Sequence, residues 1–144
     1  MAGIILTTDL SAESQRAFAP VKELAKRLGL EITLLSVLED VVFEPVAGGL
    51  LAVGPDRSQL RRDQQQELDR CKAQFGSDVR VHTLLLEAAD VPRAIVQHAN
   101  TAKPDLLAMA THGRTGLRRL LLGSVAEQVV RHARVPVLLY PPMD

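Results

Sequence analysis

The stretch with the clearest chemical potential in this 144-residue chain is Met109-Ala-Thr-His-Gly-Arg-Thr-Gly-Leu-Arg-Arg-Leu-Leu-Leu-Gly-Ser-Val-Ala-Glu127. It gathers Gly113, Gly116 and Gly123 with Arg114, Arg118 and Arg119, and runs into a helix expected to begin at Ser124. Glycine lets a backbone approach an anion closely and adopt positive φ. The first turn of a helix presents unpaired N–H groups and the positive end of its dipole. With arginines nearby, these are the parts of a polyphosphate cradle. A purely structural use is equally open. Ser124 and Glu127 have the spacing of a Ser-x-x-Glu capping box, which would engage the serine hydroxyl with backbone, and glycines in a long loop can simply turn it.

Other chemistries find less support. No Gly-Lys-Ser/Thr follows a glycine loop, so there is no Walker A motif. Thr7-Thr-Asp-Leu-Ser11 lacks the glycine-rich dinucleotide fingerprint, which argues against NAD or FAD. Thr111-His-Gly113 is not a complete His-x-Gly-His signature of nucleotidyl transfer. His82, His98, His112 and His132 show no metal-ligand spacing among themselves or with Cys71, and are read as structural or surface residues. His112 is the exception by position: in the cradle, a phosphate or ribose contact and a solvent-facing role are both open. Ser124, His112 and Asp9 have the residue types of a hydrolytic triad, but Leu122-Gly-Ser-Val-Ala126 is not a Gly-x-Ser-x-Gly elbow. Asp9 is a candidate to hold magnesium beside phosphates, or else it caps its own turn. Arg131, His132 and Arg134 close a helix, where cations favour the dipole.

Composition bounds these readings. Hydrophobic residues make up 47% of the chain and aromatic residues 3%, with no Trp, so the core must be built from Leu, Val, Ile and Ala. Seventeen basic residues balance 17 acidic ones, which argues against nucleic-acid binding. The single Cys71 fits a reducing compartment. With no apolar run near the ~20 residues of a membrane span and no signal-peptide pattern at the N-terminus, a cytoplasmic protein is expected.

Short apolar runs alternate with helical spacing along the chain. Strands are expected at Gly3–Thr8, Glu31–Val37, Val79–Leu86, Asp105–Met109 and Val135–Leu139. Ser11 caps a first helix carrying Phe18, Val21, Leu24, Ala25 and Leu28, kinked at Pro20 and stopped at Gly29. Residues 41–57 form an apolar excursion punctuated by Gly and Pro, with Gly48-Gly49 suited to flexibility or a lid over the ligand. A polar helix then sets Leu60, Leu68, Cys71 and Phe75 on one face and Gln64 to Gln66 toward solvent. Asp90 caps a helix with Ile95, Val96 and Ala99, and Ser124–Arg131 forms the last. Strands joined by helices pair in parallel through right-handed crossovers, and their unbroken apolar runs indicate cover on both faces. The expected architecture is one α/β domain over residues 1–144, a Rossmann-like doubly wound parallel sheet of five strands. Such sheets bind ligands beyond the carboxyl ends of their strands, here Thr8-Asp9, Val37-Leu38 and Met109 to Gly113.

The stretch from Gly113 resembles the universal stress protein family, whose nucleotide-binding members carry Gly-x-x-Gly, nine residues, then Gly-Ser or Gly-Thr. Nine residues separate Gly113 from Gly123, and Ser124 follows. Leu6-Thr-Thr-Asp-Leu-Ser11, Leu34-Leu-Ser-Val37 and Val135-Pro-Val-Leu-Leu139 extend the likeness over the whole chain. The resemblance implies strand order 3-2-1-4-5 and a homodimer paired through Val135–Leu139. It implies ATP, AMP or ADP as ligand, with magnesium, in a stress-response or regulatory factor. Thr7, Thr8 and Asp9 would lie near ribose and adenine, and Val37 would offer backbone to the adenine edge. Met109 and Ala110 would line the ribose, and Gly113, Arg114, Gly123, Ser124, Val125 and Ala126 would surround the phosphates. Two positions depart from the family: Ala110 replaces the motif's first glycine, and Ala89 the glycine before the third helix. If position 110 needs positive φ, alanine there costs roughly 1 kcal/mol. The alternatives are a nucleotide-independent interaction module of the same fold and a slow ATPase, although no general base is evident for a γ-phosphate.

Overall fold

A computed structural model describes residues 3–40, 56–112 and 122–142. The elements are β1 (Gly3–Thr7), α1 (Ala12–Gln15), α2 (Phe18–Leu28), β2 (Glu31–Glu39), α3 (Arg57–Ala73), β3 (Val81–Ala88), α4 (Val91–Ala102), β4 (Leu106–Ala110), α5 (Ser124–His132) and β5 (Val137–Tyr140). The five strands form one sheet in the order β3-β2-β1-β4-β5, every pair parallel. This is the expected Rossmann-like arrangement.

Alternation along the strands feeds two cores. Ile4, Leu6, Ile32 and Leu34 point to one face, where they meet Phe18, Val21 and Ala25 of α2, Leu68 and Cys71 of α3, and Phe75. Ile5, Leu35, Leu107 and Met109 point to the other and meet Ile95, Val96 and Ala99 of α4 and Ala126 and Val129 of α5. The consecutive apolar runs read correctly as strands covered on both sides. Cys71 lies buried in the first core, where burial, with Glu67 adding, pushes its thiol up and away from nucleophilic chemistry.

The helix caps follow the sequence. Ser11 accepts from the Ser14 N–H, Asp90 from the Arg93 N–H, and Gly29 ends α2 at φ 66°. Pro20 does not kink a continuous helix. The chain breaks at Arg16–Ala17, and Pro20 becomes the third residue of α2, within the first turn, where a missing N–H leaves no ladder bond unmade. β2 and β3 each run two residues past their expected ends, and β5 starts two residues later than expected, beyond Pro136. Arg57 belongs to α3, which Asp56 caps, rather than to the apolar excursion. The proposed lid, including Gly48-Gly49, lies outside the described residues.

Candidate functional site

The strand order reverses between β1 and β4, whose neighbours lie on opposite sides, and the crevice of such a sheet opens there. The carboxyl ends of β1, β2 and β4 supply its walls. Beyond β1, Thr7 and Thr8 are buried, and the Thr8 amide donates to the Leu35 carbonyl at 2.9 Å. The Thr8 hydroxyl meets the buried Ser14 hydroxyl at 2.8 Å and accepts the Leu10 N–H at 2.9 Å. Asp9 Oδ1 accepts the Ser11 N–H at 3.0 Å and the Ser11 hydroxyl. Asp9 therefore organises its own turn, the structural role left open by the sequence. Leu10 takes φ 69°, a left-handed conformation costing a leucine about 1–2 kcal/mol. That strain is held between the Thr8 and Asp9 contacts at the mouth of the crevice.

At β4, Met109 turns its side chain into the second core, so only its backbone can line the crevice. Ala110 is an ordinary strand residue in register with Tyr140, and its φ is not positive. The anticipated strain at this position is absent, because here the ladder dictates an extended backbone. Thr111 and His112 follow, both buried. Thr111 Oγ1 lies 3.0 Å from His112 Nδ1, while His112 Nε2 is buried with no hydrogen-bond partner among the described residues. An orphaned buried polar atom costs about 1–3 kcal/mol, so the position calls for a functional reason. His112 is only 8% exposed, and the solvent-facing alternative is set aside.

The start of α5 is fixed against this strand end. The Gly123 N–H donates to the Thr111 carbonyl at 2.8 Å, and a Cβ on Gly123 would fall 2.6 Å from the same oxygen. Gly123, at φ −59°, is needed for that close approach rather than for unusual backbone freedom. It is also the N-cap, which makes Ser124 the first helical residue. The Ser124–Glu127 capping box does not form: Gly123 as N-cap has no side chain to cap α5, and Glu127 instead pairs with Arg131 at 2.9 Å. Ser124 is exposed, whereas the Val125 and Ala126 side chains pack into the second core, leaving those two only backbone to offer. Gly113 and Arg114 lie outside the described residues.

On the β2 side, Leu35 presents its carbonyl to β1 and Val37, two residues on, presents its backbone the same way. The β1–β2 register stops at Thr7 opposite Leu35, so the Val37 edge faces the space beyond β1. Gln64 of α3 reaches that edge. Its Nε2 donates to Ser36 Oγ at 3.0 Å and to the Val37 carbonyl at 3.2 Å. Gln64 is thus half-buried rather than on the solvent side. The signal was its spacing, four residues from both Leu60 and Leu68 on the apolar stripe.

The other histidines take ordinary roles where their contacts are defined. His82 pairs with Glu31 at 3.1 Å, and His132 Nδ1 lies 3.0 Å from the Gln128 carbonyl. Among the described residues no group of three or more His, Cys, Asp or Glu could hold a metal ion, and no helix is long and apolar enough to cross a membrane.

Residues 2–141 match the model of the universal stress protein family. The chain belongs to that family. A universal stress protein from Methanocaldococcus jannaschii is 35% identical over 140 residues, covering 94% of this chain and 79% of its own length. One from Thermus aquaticus is 32% identical over 136 residues, covering 94% and 96%. The solved structure of M. jannaschii MJ0577 superposes with a TM-score of 0.77 at 22% identity, over 99% of this chain and 97% of that one. Other universal stress protein structures of the same fold hold cAMP, dAMP in the Archaeoglobus fulgidus protein, and AMP in the Arabidopsis thaliana protein.

Proposed function

We propose that this universal stress protein binds an adenine nucleotide, ATP with magnesium foremost, in the crevice between β1 and β4, and serves as a homodimeric stress-response or regulatory factor. The observation that carries this reading is the clamp of Gly123 beneath the Thr111 carbonyl. It sets the α5 N-terminus, whose N-cap is a glycine, beside His112, whose buried Nε2 has no partner among the described residues. Free N–H groups and a positive dipole end suit phosphate, and the imidazole suits a phosphate or ribose oxygen. The nucleotides held by related folds supply the ligand class.

The roles follow from the chemistry each residue can offer. The N–H groups of Ser124, Val125 and Ala126 and the exposed Ser124 hydroxyl would hold phosphate, joined in this reading by Gly113 and Arg114. Backbone at Met109 and Ala110 would flank the ribose, and Val37 would meet the base. Thr7 and Thr8, buried and bonded within the protein, shape the floor beneath it. Asp9 is the carboxylate beside which magnesium would sit, one protein ligand sufficing when phosphates supply the others. Among the described residues none presents an evident general base to a γ-phosphate, and the nucleotide is read as a bound signal rather than a substrate in rapid turnover. β5 lies at the sheet edge, and pairing it with a second copy would remove an exposed ladder. Native mass spectrometry of the purified protein tests the reading. Co-purifying adenine nucleotide, or uptake of added ATP, is expected; failure to hold either would favour a nucleotide-independent interaction module.

A further inference from the structure

We infer that Gln64 is a specificity-determining residue that reads the exocyclic group of the base, selecting a 6-amino purine over a 6-oxo purine. This rests on the reading that a purine nucleotide occupies the crevice with its base at the Val37 edge.

The inference starts from the amide's own hydrogen bonds. A glutamine side chain carries two N–H donors and one carbonyl acceptor. Gln64 aims Nε2 at both Ser36 Oγ, 3.0 Å away, and the Val37 carbonyl oxygen, 3.2 Å away. Exchanging the amide's oxygen and nitrogen would set two carbonyl oxygens against each other at Val37, so the orientation is fixed. With both donors committed, the group has only its acceptor Oε1 left to offer. The Val37 carbonyl has a second lone pair still to give, and its N–H lies on the same side of the strand. Ser36 is itself buried, which anchors the amide against the sheet.

In the proposed arrangement Gln64 Oε1 joins the Val37 carbonyl, which Nε2 holds at 3.2 Å, as an acceptor beside the Val37 N–H donor. A 6-amino purine matches this arrangement: its exocyclic amine donates to the acceptors and its N1 accepts from the Val37 N–H. A 6-oxo purine inverts both groups, setting an oxygen against oxygens and an N1–H against an N–H. A site built around such polar groups rejects the mismatched analogue because its own groups are then left unpaired. Gln64 adds a side-chain acceptor to a discrimination that backbone alone would make more weakly. It also supports the Val37 carbonyl from the α3 side.

The test compares ATP with ITP, both with magnesium, by calorimetric titration of the full chain as wild type and as Gln64→Leu. Leucine keeps volume and half-burial while removing the amide. Wild type is expected to prefer ATP, and Gln64→Leu to narrow the ATP-to-ITP affinity ratio by about tenfold, the scale of one lost polar contact. An overall weakening of both nucleotides with the ratio intact would show Gln64 to be merely structural and overturn the inference. Should the leucine variant fail to fold, the Gln64 side-chain amide resonance of the wild type decides. It is expected to shift with ATP and not with ITP, and an unmoved resonance at saturating ATP overturns the inference. If wild type binds neither nucleotide, the reading of the crevice as a nucleotide site fails first. ATP binding with an unchanged ratio would leave that reading intact and remove only the role of Gln64.

Discussion

At His112 the protein carries a cost that its fold does not explain. Nδ1 is engaged by Thr111 and Nε2 is buried without a partner among the described residues, a penalty of about 1–3 kcal/mol that a ligand would relieve. Stability and affinity should therefore move apart in His112→Leu. The melting temperature is expected to hold or rise while ATP affinity falls about tenfold, or roughly 1.4 kcal/mol. A drop in stability with affinity unchanged would make His112 a structural residue. Ala110 illustrates the opposite case. The sequence marks it as a departure from the family motif, but only the ladder shows that it is an extended residue opposite Tyr140. Ala110→Gly should then bring no relief of backbone strain and should lower stability by about 0.5–1 kcal/mol in chemical denaturation. A gain in stability would mean that the alanine is strained after all. Legibility at this scale was uneven for a physical reason. Residue type and spacing identify Gly123 and His112, because close approach and imidazole chemistry depend on which residue is present. They cannot say which way a side chain faces, so Gln64, read toward solvent, instead turns in to Ser36 and Val37.

The elements were more legible than their ends. Caps at Ser11, Gly29 and Asp90 are local hydrogen-bond chemistry and could be read directly. The extension of β2 and β3 to Glu39 and Ala88 depends on each strand finding the other, a non-local event, and the split of α1 from α2 depends on where the chain must turn over the sheet. α3 is tied to the edge strand β3 by a bidentate pair, Arg61 Nε and Nη2 to the Glu87 carboxylate at 2.6 and 2.9 Å. That hydrogen bond, with Arg61 and Arg57 as neighbouring charges, holds the Glu87 carboxyl below its ordinary range. The unfolded chain therefore binds the proton more readily than the folded one. The stabilisation is complete above the unfolded glutamate value, about pH 4.3, and is lost as pH falls through the lower folded value. Glu87→Gln should be less stable than wild type near neutrality, and the gap should close on acidification in denaturation series. Because the pair is exposed the gap will be small, and one that widens toward low pH would contradict the assignment.

Over the whole molecule, the parallel sheet with helices on both faces followed from the alternation of strand and helix, and the strand order came only from the family resemblance. Assembly is the part that a single chain leaves to experiment. The Pro136 carbonyl accepts from Leu107 and the Tyr140 carbonyl from Thr111, so these alternate residues face β4. Val137 and Leu139 then turn their N–H groups to the free edge, and Pro136 takes no donor from it. Leu138 packs against the first core and Leu139 against the second, so a substitution at either bears on folding as well as on pairing. Leu139→Pro also removes a free-edge donor, and sedimentation of the variant, once circular dichroism shows it folded, should show dimer giving way to monomer; an intact dimer would place the interface elsewhere. The central claim, that the β1–β4 crevice holds an adenine nucleotide through the start of α5, is tested most directly by calorimetric titration of ATP with magnesium into wild type and Gly123→Val. Saturable one-site binding by wild type is expected, largely abolished in the variant, because the added Cβ would meet the Thr111 carbonyl at 2.6 Å and displace the helix start. No heat of binding in wild type, or equal affinity in a folded Gly123→Val, would contradict it.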